Sequence, residues 1–457
     1  MMPELIKLKR FTGTPRDARA LQAVFDKMPR YFELTTQAVA DENSCAQLFS
    51  SLPPGKTVHD KFVYGIYLGE QLIGCIDLVR GYPNSSTAML GLLALSENAQ
   101  AKGYGSKAYE QLEAVVREWP EIETIRIGVV KTNDQVFSFW KRLGFVDTGI
   151  RKPYESGKVI SENCVFEKTL MDLISVSGGV IAAKSFGAGV PVIFLHGGPG
   201  DTHHYMRRMA EPLVGKFQCI FFDQRGTGSS TITDRVAEQF SLEHLFQDIL
   251  AVKNFYHLDS FHLVGHSWGA MYALYFALRY PELVKGAALL NAGPLDEFAN
   301  HRASENALKH LSVEETQEWR ELRSRRNEAR DLNDTTKTQL IDKALMKLRV
   351  KGWIYHPEFR EAFLVEYFRD PPPDRKVNQW IWQSQSHFFQ WDALKQLPVP
   401  VFICAGENDY LPIEQAEKLE RFLPNSKLVN ISQCGHMPWL DQPAEFYRKL
   451  IAFLSGE

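Results

Sequence analysis

Three residues spread along the 457-residue chain could together activate an acyl-transfer nucleophile: Ser267, Asp409 and His436. A serine hydroxyl attacks a carbonyl only when a neighbouring base takes its proton, and that base needs an acid to hold its tautomer. Ser267 lies in Gly265-His266-Ser267-Trp268-Gly269, where the apolar run 261–264 meets an amphipathic run through Met271, Leu274, Phe276 and Leu278 that stops before Pro281. The pattern predicts a strand, a sharp turn and a helix. Glycine on both flanks lets neighbouring backbone come close, and the turn lifts the hydroxyl to a helix N-terminus that favours a developing oxyanion. Asp409 follows the strand-like run 400–406, and its distance from the strand end favours it over Glu407 as the acid. His436, in Cys434-Gly435-His436-Met437-Pro438, follows the run 428–431.

The elements that must position these groups can be read from the flanking sequence. A continuous apolar strand, 190–195, runs directly into His196-Gly197-Gly198-Pro199-Gly200. A second, 219–222, ends in Asp223-Gln224-Arg225-Gly226-Thr227-Gly228-Ser229-Ser230. Ser241 is expected to cap a helix carrying Leu242, Leu245, Phe246, Ile249 and Leu250, and 284–290 is another buried strand. Strands alternating with helices predict a doubly wound, mostly parallel α/β sheet, with its chemistry at the C-terminal strand ends. The chain order of nucleophile, acid and histidine suits that fold. Two oxyanion donors are expected, the amides of Trp268 and Gly198. His266 is expected to be a packing residue.

Between 294 and 397 the composition turns to charged helical sequence, the expected place for a cap. Its Arg320, Arg323, Arg325, Arg326 and Arg330 read as a solvated face. Its aromatic residues Trp380, Trp382, Phe388, Phe389 and Trp391 suit either a pocket roof or core packing.

The first part of the chain is built differently. Runs 62–68 and 72–78 around Gly69-Glu70 predict a hairpin, and 89–95 a third strand ending at Leu95. Gln100-Ala101-Lys102-Gly103-Tyr104-Gly105 then opens a helix with Ala108, Leu112, Val115, Val116 and Trp119 on one face, stopped by Pro120. A strand, a glycine-rich turn and a helix N-terminus make an anion cradle. The spacing fits neither the Walker pattern nor the dinucleotide fingerprint. A strand with Ile125, Ile127 and Val129 follows, then Asn133 and a short helix with Val136, Phe137 and Trp140, closed by Leu143-Gly144-Phe145.

This arrangement resembles motifs A (Q/R-x-x-G-x-G/A) and B of the GCN5-related N-acetyltransferases (GNAT), over roughly residues 5 to 170. The resemblance implies acetyl-CoA as cofactor, with its pyrophosphate held around Leu95, Gln100, Ala101, Lys102, Gly103, Tyr104, Gly105 and Asn133. Trp140 stands where many members place a tyrosine general acid, and an indole donates without acting as an acid; Tyr104 or water are the alternatives. Glu97 and Asn98 could position an acceptor amine. In the second part, H-G-G-P-G at 196–200, D-Q-R-G-x-G-x-S at 223–230 and G-x-S-W-G at 265–269 resemble the proline iminopeptidase branch of the α/β-hydrolases. That implies removal of an N-terminal residue, often proline, from small peptides or amides. His266 replaces the usual glycine, as in many esterases of the fold, so the alternative is a small-ester carboxylesterase whose GNAT domain only binds acetyl-CoA as a sensor or structural module. An aminopeptidase needs carboxylates for the substrate ammonium, and Glu361 or Glu366 look most like the family's glutamate.

The expected domains are therefore 1–170 and 171–457, with a cap at about 294–397 and no metal requirement. A hydrophobic content of 44% and a formal net charge of −3 describe an ordinary globular chain with no basic excess, so nucleic acid and anionic membranes are not expected partners. No apolar stretch approaches a membrane span, and the first ten residues lack the apolar run of a secretory leader. Six cysteines without a C-x-x-C pair read as reduced, buried thiols in a cytoplasmic protein.

Overall fold

The computed structural model describes residues 6–38, 42–332, 334–368, 372–385 and 390–457. Phe388 and Phe389, and residues 1–5 of the N-terminal segment, lie outside these. The chain divides into two compact units, Met1–Met171 and Asp172–Glu457.

The first unit is a seven-stranded sheet of β1 (Ile6–Phe11), β2 (Lys61–Leu68), β3 (Gln71–Arg80), β4 (Thr87–Leu95), β5 (Thr124–Val130), β6 (Val146–Ser156) and β7 (Val159–Thr169). The strand order is β1-β2-β3-β4-β5-β7-β6, and β4 with β5 is its parallel pair. A parallel pair requires a crossover, supplied by helix Tyr104–Arg117. Period-two alternation sends Ile76, Leu78 and Leu90 to one face, against Ala108 and Leu112 of that helix. Val63 and Cys75 go to the other, against Leu21, Val24 and Phe25 of helix Pro15–Phe25. The β4–β5 pairing runs only from Thr87↔Thr124 to Leu90↔Ile127, although both strands continue. Beyond it the strands diverge and leave a wedge in the sheet.

The second unit holds β8 (Asp172–Val176), β9 (Gly179–Phe186), β10 (Val190–Leu195), β11 (Phe217–Phe222), β12 (Thr231–Ile232), β13 (Phe261–His266), β14 (Val284–Leu290), β15 (Val401–Gly406) and β16 (Ser426–Ile431). The order is β12-β9-β11-β10-β13-β14-β15-β16, with β8 on β9. From β11 to β16 all neighbours are parallel, while β8, β9 and β12 form an antiparallel edge. Ile193, Leu195, Leu263 and Leu289 pack on one face, and Val192, Phe194, Val264 and Leu290 on the other. Both faces are thus apolar and covered by helices, as a central parallel strand requires. The direction of winding reverses between β10 and β13, which opens a crevice at their C-terminal ends.

Helices Glu297–Lys309, Val313–Asp331, Thr335–Trp353, Pro357–Tyr367 and Arg375–Ser384 occupy the expected cap. The second and third pair around Leu322, Ala329, Ile341, Leu345 and Leu348. One expectation fails here: Arg326 is buried, 3.8 Å from Asp342, while the other four arginines are solvated. Burial lowers its pKa to about 10. Trp380 stacks on Phe240 and Trp391 packs on Phe422, so these two serve the core; Trp382 lies 5.7 Å from the Trp268 ring. All six cysteines are free and buried. Among the described residues no helix is long and apolar enough to cross a membrane.

Candidate active site

Ser267 joins β13 to helix Trp268–Arg279 with φ 55° and ψ −118°, a conformation that costs a non-glycine residue about 1–3 kcal/mol. Its surroundings over-determine it. The Ser267 amide donates to the Leu290 carbonyl at 2.9 Å, and its own carbonyl accepts from Gly293 at 3.0 Å. A Cβ on Gly265 would meet the Gly269 carbonyl at 2.1 Å, and one on Gly269 the Leu195 carbonyl at 1.9 Å. Both flanking glycines are required by that close approach.

Asp409 and His436, carried by the loops after β15 and β16, meet: His436 Nδ1 lies 2.9 and 3.1 Å from the two carboxylate oxygens. Both residues are buried, and the carboxylate orients the ring so that Nδ1 donates and Nε2 is the acceptor. Glu407 is exposed. The loops are stitched together by Asn408 N to Cys434 O at 2.8 Å and Glu407 N to Ile431 O at 2.9 Å. Gly406 allows that approach, since a Cβ there would meet the Gly435 carbonyl at 2.1 Å.

Several neighbours carried no signal in the sequence. Asn291, at φ 46° just past β14, donates from Nδ2 to Asp409 at 2.7 Å and to the Gly435 carbonyl at 3.1 Å. The Tyr410 ring lies 4.9 Å from the His436 ring, tilted by 53°, and its hydroxyl hydrogen-bonds the Ser267 side chain; burial raises its pKa. His266 does more than pack. The Gly197 amide donates to the Tyr205 hydroxyl at 2.7 Å, that hydroxyl donates to His266 Nδ1 at 2.8 Å, and His266 Nε2 donates to the His436 carbonyl at 2.9 Å. This relay ties the loop after β10 to the histidine loop.

The Gly197 amide being engaged, the next one, Gly198, remains the candidate donor of that loop. The loop passes directly over the nucleophile, since a Cβ on Gly197 would lie 3.1 Å from Ser267 Cβ. Trp268 is the first residue of its helix, where the amide has no partner one turn back. Its indole Nε1 donates to Gln224 at 3.1 Å, and Gln224 Nε2 donates to the His196 carbonyl at 2.8 Å. The rest of the 223–230 motif is bracing. Arg225 makes a buried two-pronged pair with Asp248 at 2.8 and 2.6 Å, and Asp223 accepts from the Ser229 amide at 2.8 Å.

Among the described residues neither cap glutamate contacts Ser267, Asp409 or His436. Glu361 is exposed, on the face of helix Pro357–Tyr367 away from Phe363, whose ring packs on Trp353. Glu366 is half-exposed and pairs with Arg208.

Burial makes the hydrolase unit sensitive to acid. It lowers the pKa of His196 and His262 to about 4 and that of His266 well below its ordinary 6.5. The unfolded chain therefore binds more protons than the native one between about pH 6.5 and 4, and stability falls as pH drops through that window. Each histidine contributes at most about 1.4 kcal/mol per pH unit. Urea midpoints measured from pH 7 to pH 5 should fall steadily, and a flat profile would contradict these burials.

In the first unit the cradle has the conformation its glycines permit. Gly103 (φ 79°) caps helix Tyr104–Arg117, and Ala101 is also left-handed at φ 59°. A Cβ on Gly105 would lie 3.4 Å from the Phe139 ring. Gln100 Nε2 donates to the Leu95 carbonyl at 2.9 Å, which folds the turn onto the end of β4 beside the wedge. Lys102 is exposed, and Asn133 and Tyr104 are half-buried. Trp140 is a core residue against Tyr109 and Phe145, and Glu97 is spent accepting from the Arg30 amide at 3.0 Å.

This crevice and elbow define an α/β-hydrolase. The α/β hydrolase fold family model matches residues 190–443, more than half of the chain, and the chain belongs to that family. The acetyltransferase (GNAT) family model matches residues 24–145, so a GNAT domain precedes the hydrolase. Within the family the hydrolase unit resembles proline iminopeptidases. That of Lactobacillus delbrueckii subsp. bulgaricus is 29% identical over 283 residues, covering 58% of this chain and 90% of that protein. The AB hydrolase superfamily protein YclE of Bacillus subtilis is 25% identical over 271 residues, covering 58% and 92%. An alpha/beta fold family hydrolase from Bacillus anthracis shares the fold, with a TM-score of 0.51 at 19% identity, over 61% of this chain and 96% of that one.

Proposed function

We propose that the hydrolase unit cleaves small peptides or aminoacyl amides through an acyl-enzyme on Ser267. The observation that carries this reading is the buried His436–Asp409 pair, linked through Tyr410 to a strained serine at the switch-point crevice. Ser267 Oγ adds to the substrate carbonyl carbon while its proton passes to His436 Nε2, and Asp409 stabilises the imidazolium. The amides of Trp268 and Gly198 hold the oxyanion. Its collapse breaks the C–N bond, and His436 gives the proton to the departing amine. Water then repeats the sequence on the ester. No metal enters the scheme. A carboxylesterase is the second reading, favoured by the outward placement of Glu361 and by His266 in place of glycine.

For the GNAT domain, the backbone from Gln100 to Gly105 would hold the pyrophosphate of acetyl-CoA, with Leu95 and Asn133 flanking the wedge that the cofactor's arm requires. The left-handed Gly103 and the close packing of Gly105 fit that task. Bound there, the cofactor supplies an activated acetyl group for an amine. Trp140, in the core, is not the general acid in this reading, and Tyr104 at the helix start is the nearest candidate. The two units are read as functional domains, 1–170 and 171–457, of a cytoplasmic protein whose buried thiols need no oxidising compartment.

Aminoacyl-naphthylamides assayed beside short-chain nitrophenyl esters test the hydrolase reading. Turnover of prolyl or alanyl amides is expected, and cleavage of esters alone would move the unit to the esterases. Calorimetry with acetyl-CoA tests the first unit: Gly103→Val, which forces a branched side chain into φ 79°, should weaken binding at least about tenfold. Equal affinity would displace the cofactor from this turn.

A further inference from the structure

We propose that Arg349 anchors a carboxylate of the hydrolase unit's substrate, so that peptides short enough to place a free C-terminus there, dipeptides above all, are favoured. The proposal deepens the reading of Ser267 as an acylating nucleophile and rests on it.

Arg349 lies on helix Thr335–Trp353, four residues before Trp353, so the two side chains share a helix face. That face belongs to the active site. The Trp353 carbonyl accepts from the His436 amide at 2.7 Å, and its ring lies 5.6 Å from the His436 ring and 6.4 Å from that of Tyr367. The guanidinium is within electrostatic reach of the Tyr410 and Tyr367 hydroxyls. Tyr410 in turn touches both His436 and Ser267. A cation therefore stands within electrostatic reach of a residue that touches the nucleophile.

The carboxylate within its electrostatic reach, Asp342, is shared with other arginines. Among the described residues no ion pair involves Arg349, and Asp342, two turns earlier on the same helix, is occupied by Arg375 and Arg326. Arg349 remains accessible to solvent, yet surrounding protein desolvates its guanidinium and lowers its pKa. An unpaired cation on the helix face that meets His436 costs free energy that an anion arriving there offsets. The planar fork of arginine matches a carboxylate with two parallel hydrogen bonds, and tyrosine hydroxyls at its side can donate to the same group. Peptide hydrolysis provides such a carboxylate whenever the substrate is short.

The test reads binding, so that it does not depend on turnover. With the Ser267→Ala protein, calorimetry should show Pro-Ala binding at least about tenfold more tightly than its C-terminal carboxamide, the worth of one charge-assisted hydrogen bond. Adding Arg349→Gln should remove that difference, and Arg349→Lys should keep part of it. Equal affinity for acid and amide, or a difference that survives both substitutions, would overturn the anchor. Pro-Ala bound through Arg349 but not cleaved by the wild-type enzyme would leave the anchor standing and overturn the aminopeptidase reading instead.

Discussion

Replacing Ser267 with alanine should lower kcat for amide and ester hydrolysis by at least about 10³-fold, leaving only what oxyanion binding and substrate positioning supply. The reasoning is geometric. The elbow places one hydroxyl at the mouth of the crevice between β10 and β13, hydrogen-bonded to Tyr410, whose ring packs against His436. Alanine fits the same left-handed turn, whose conformation is imposed by Gly265, Gly269 and the hydrogen bonds to Leu290 and Gly293. The variant should therefore keep its fold, with near-unchanged thermal unfolding, and lose its chemistry. Residual activity close to wild type would place the nucleophile elsewhere.

Asp409→Asn should cost about 10⁴-fold in kcat with little change in KM, because the change is in tautomer rather than in shape. In the native site both carboxylate oxygens face His436 Nδ1, and Asn291 donates to the same group at 2.7 Å. An amide in this place either turns its NH₂ toward Nδ1, which forces the imidazole proton onto Nε2, or points it at the Asn291 donor. The first outcome presents a proton to Ser267 instead of a base. A loss shared equally between KM and kcat would instead indicate a disordered pocket.

Much of this site is legible in the sequence, for identifiable reasons. Backbone that must pass within contact distance of other backbone leaves glycine, and Gly265, Gly269, Gly406 and the loop at 196–200 all mark such approaches. Buried parallel strands leave continuous apolar runs, so the ends of β13, β15 and β16, and with them Ser267, Asp409 and His436, can be found in order. Left-handed Gly103 marks the anion cradle in the same way. Groups reached through space leave no such trace. Tyr205, Asn291 and Arg349 come from a loop, a strand end and a cap helix, and only the fold brings them to the site. His266 shows the limit most clearly. Its position in the motif suggests packing, but its hydrogen bonds to Tyr205 and to the His436 carbonyl depend on loops far away in the chain. The cap glutamates are hard to place from sequence for a related reason: Glu361 and Phe363 are two residues apart, which puts them on opposite sides of a helix, and it is Phe363 that is buried.

The most direct test of the acyl-enzyme account is intact-mass analysis after exposure to a fluorophosphonate, followed by peptide mapping. A single stoichiometric adduct on Ser267, absent from Ser267→Ala and strongly slowed in His436→Ala, is the predicted result. An unmodified Ser267 in folded protein, or an adduct on another residue, would contradict the account.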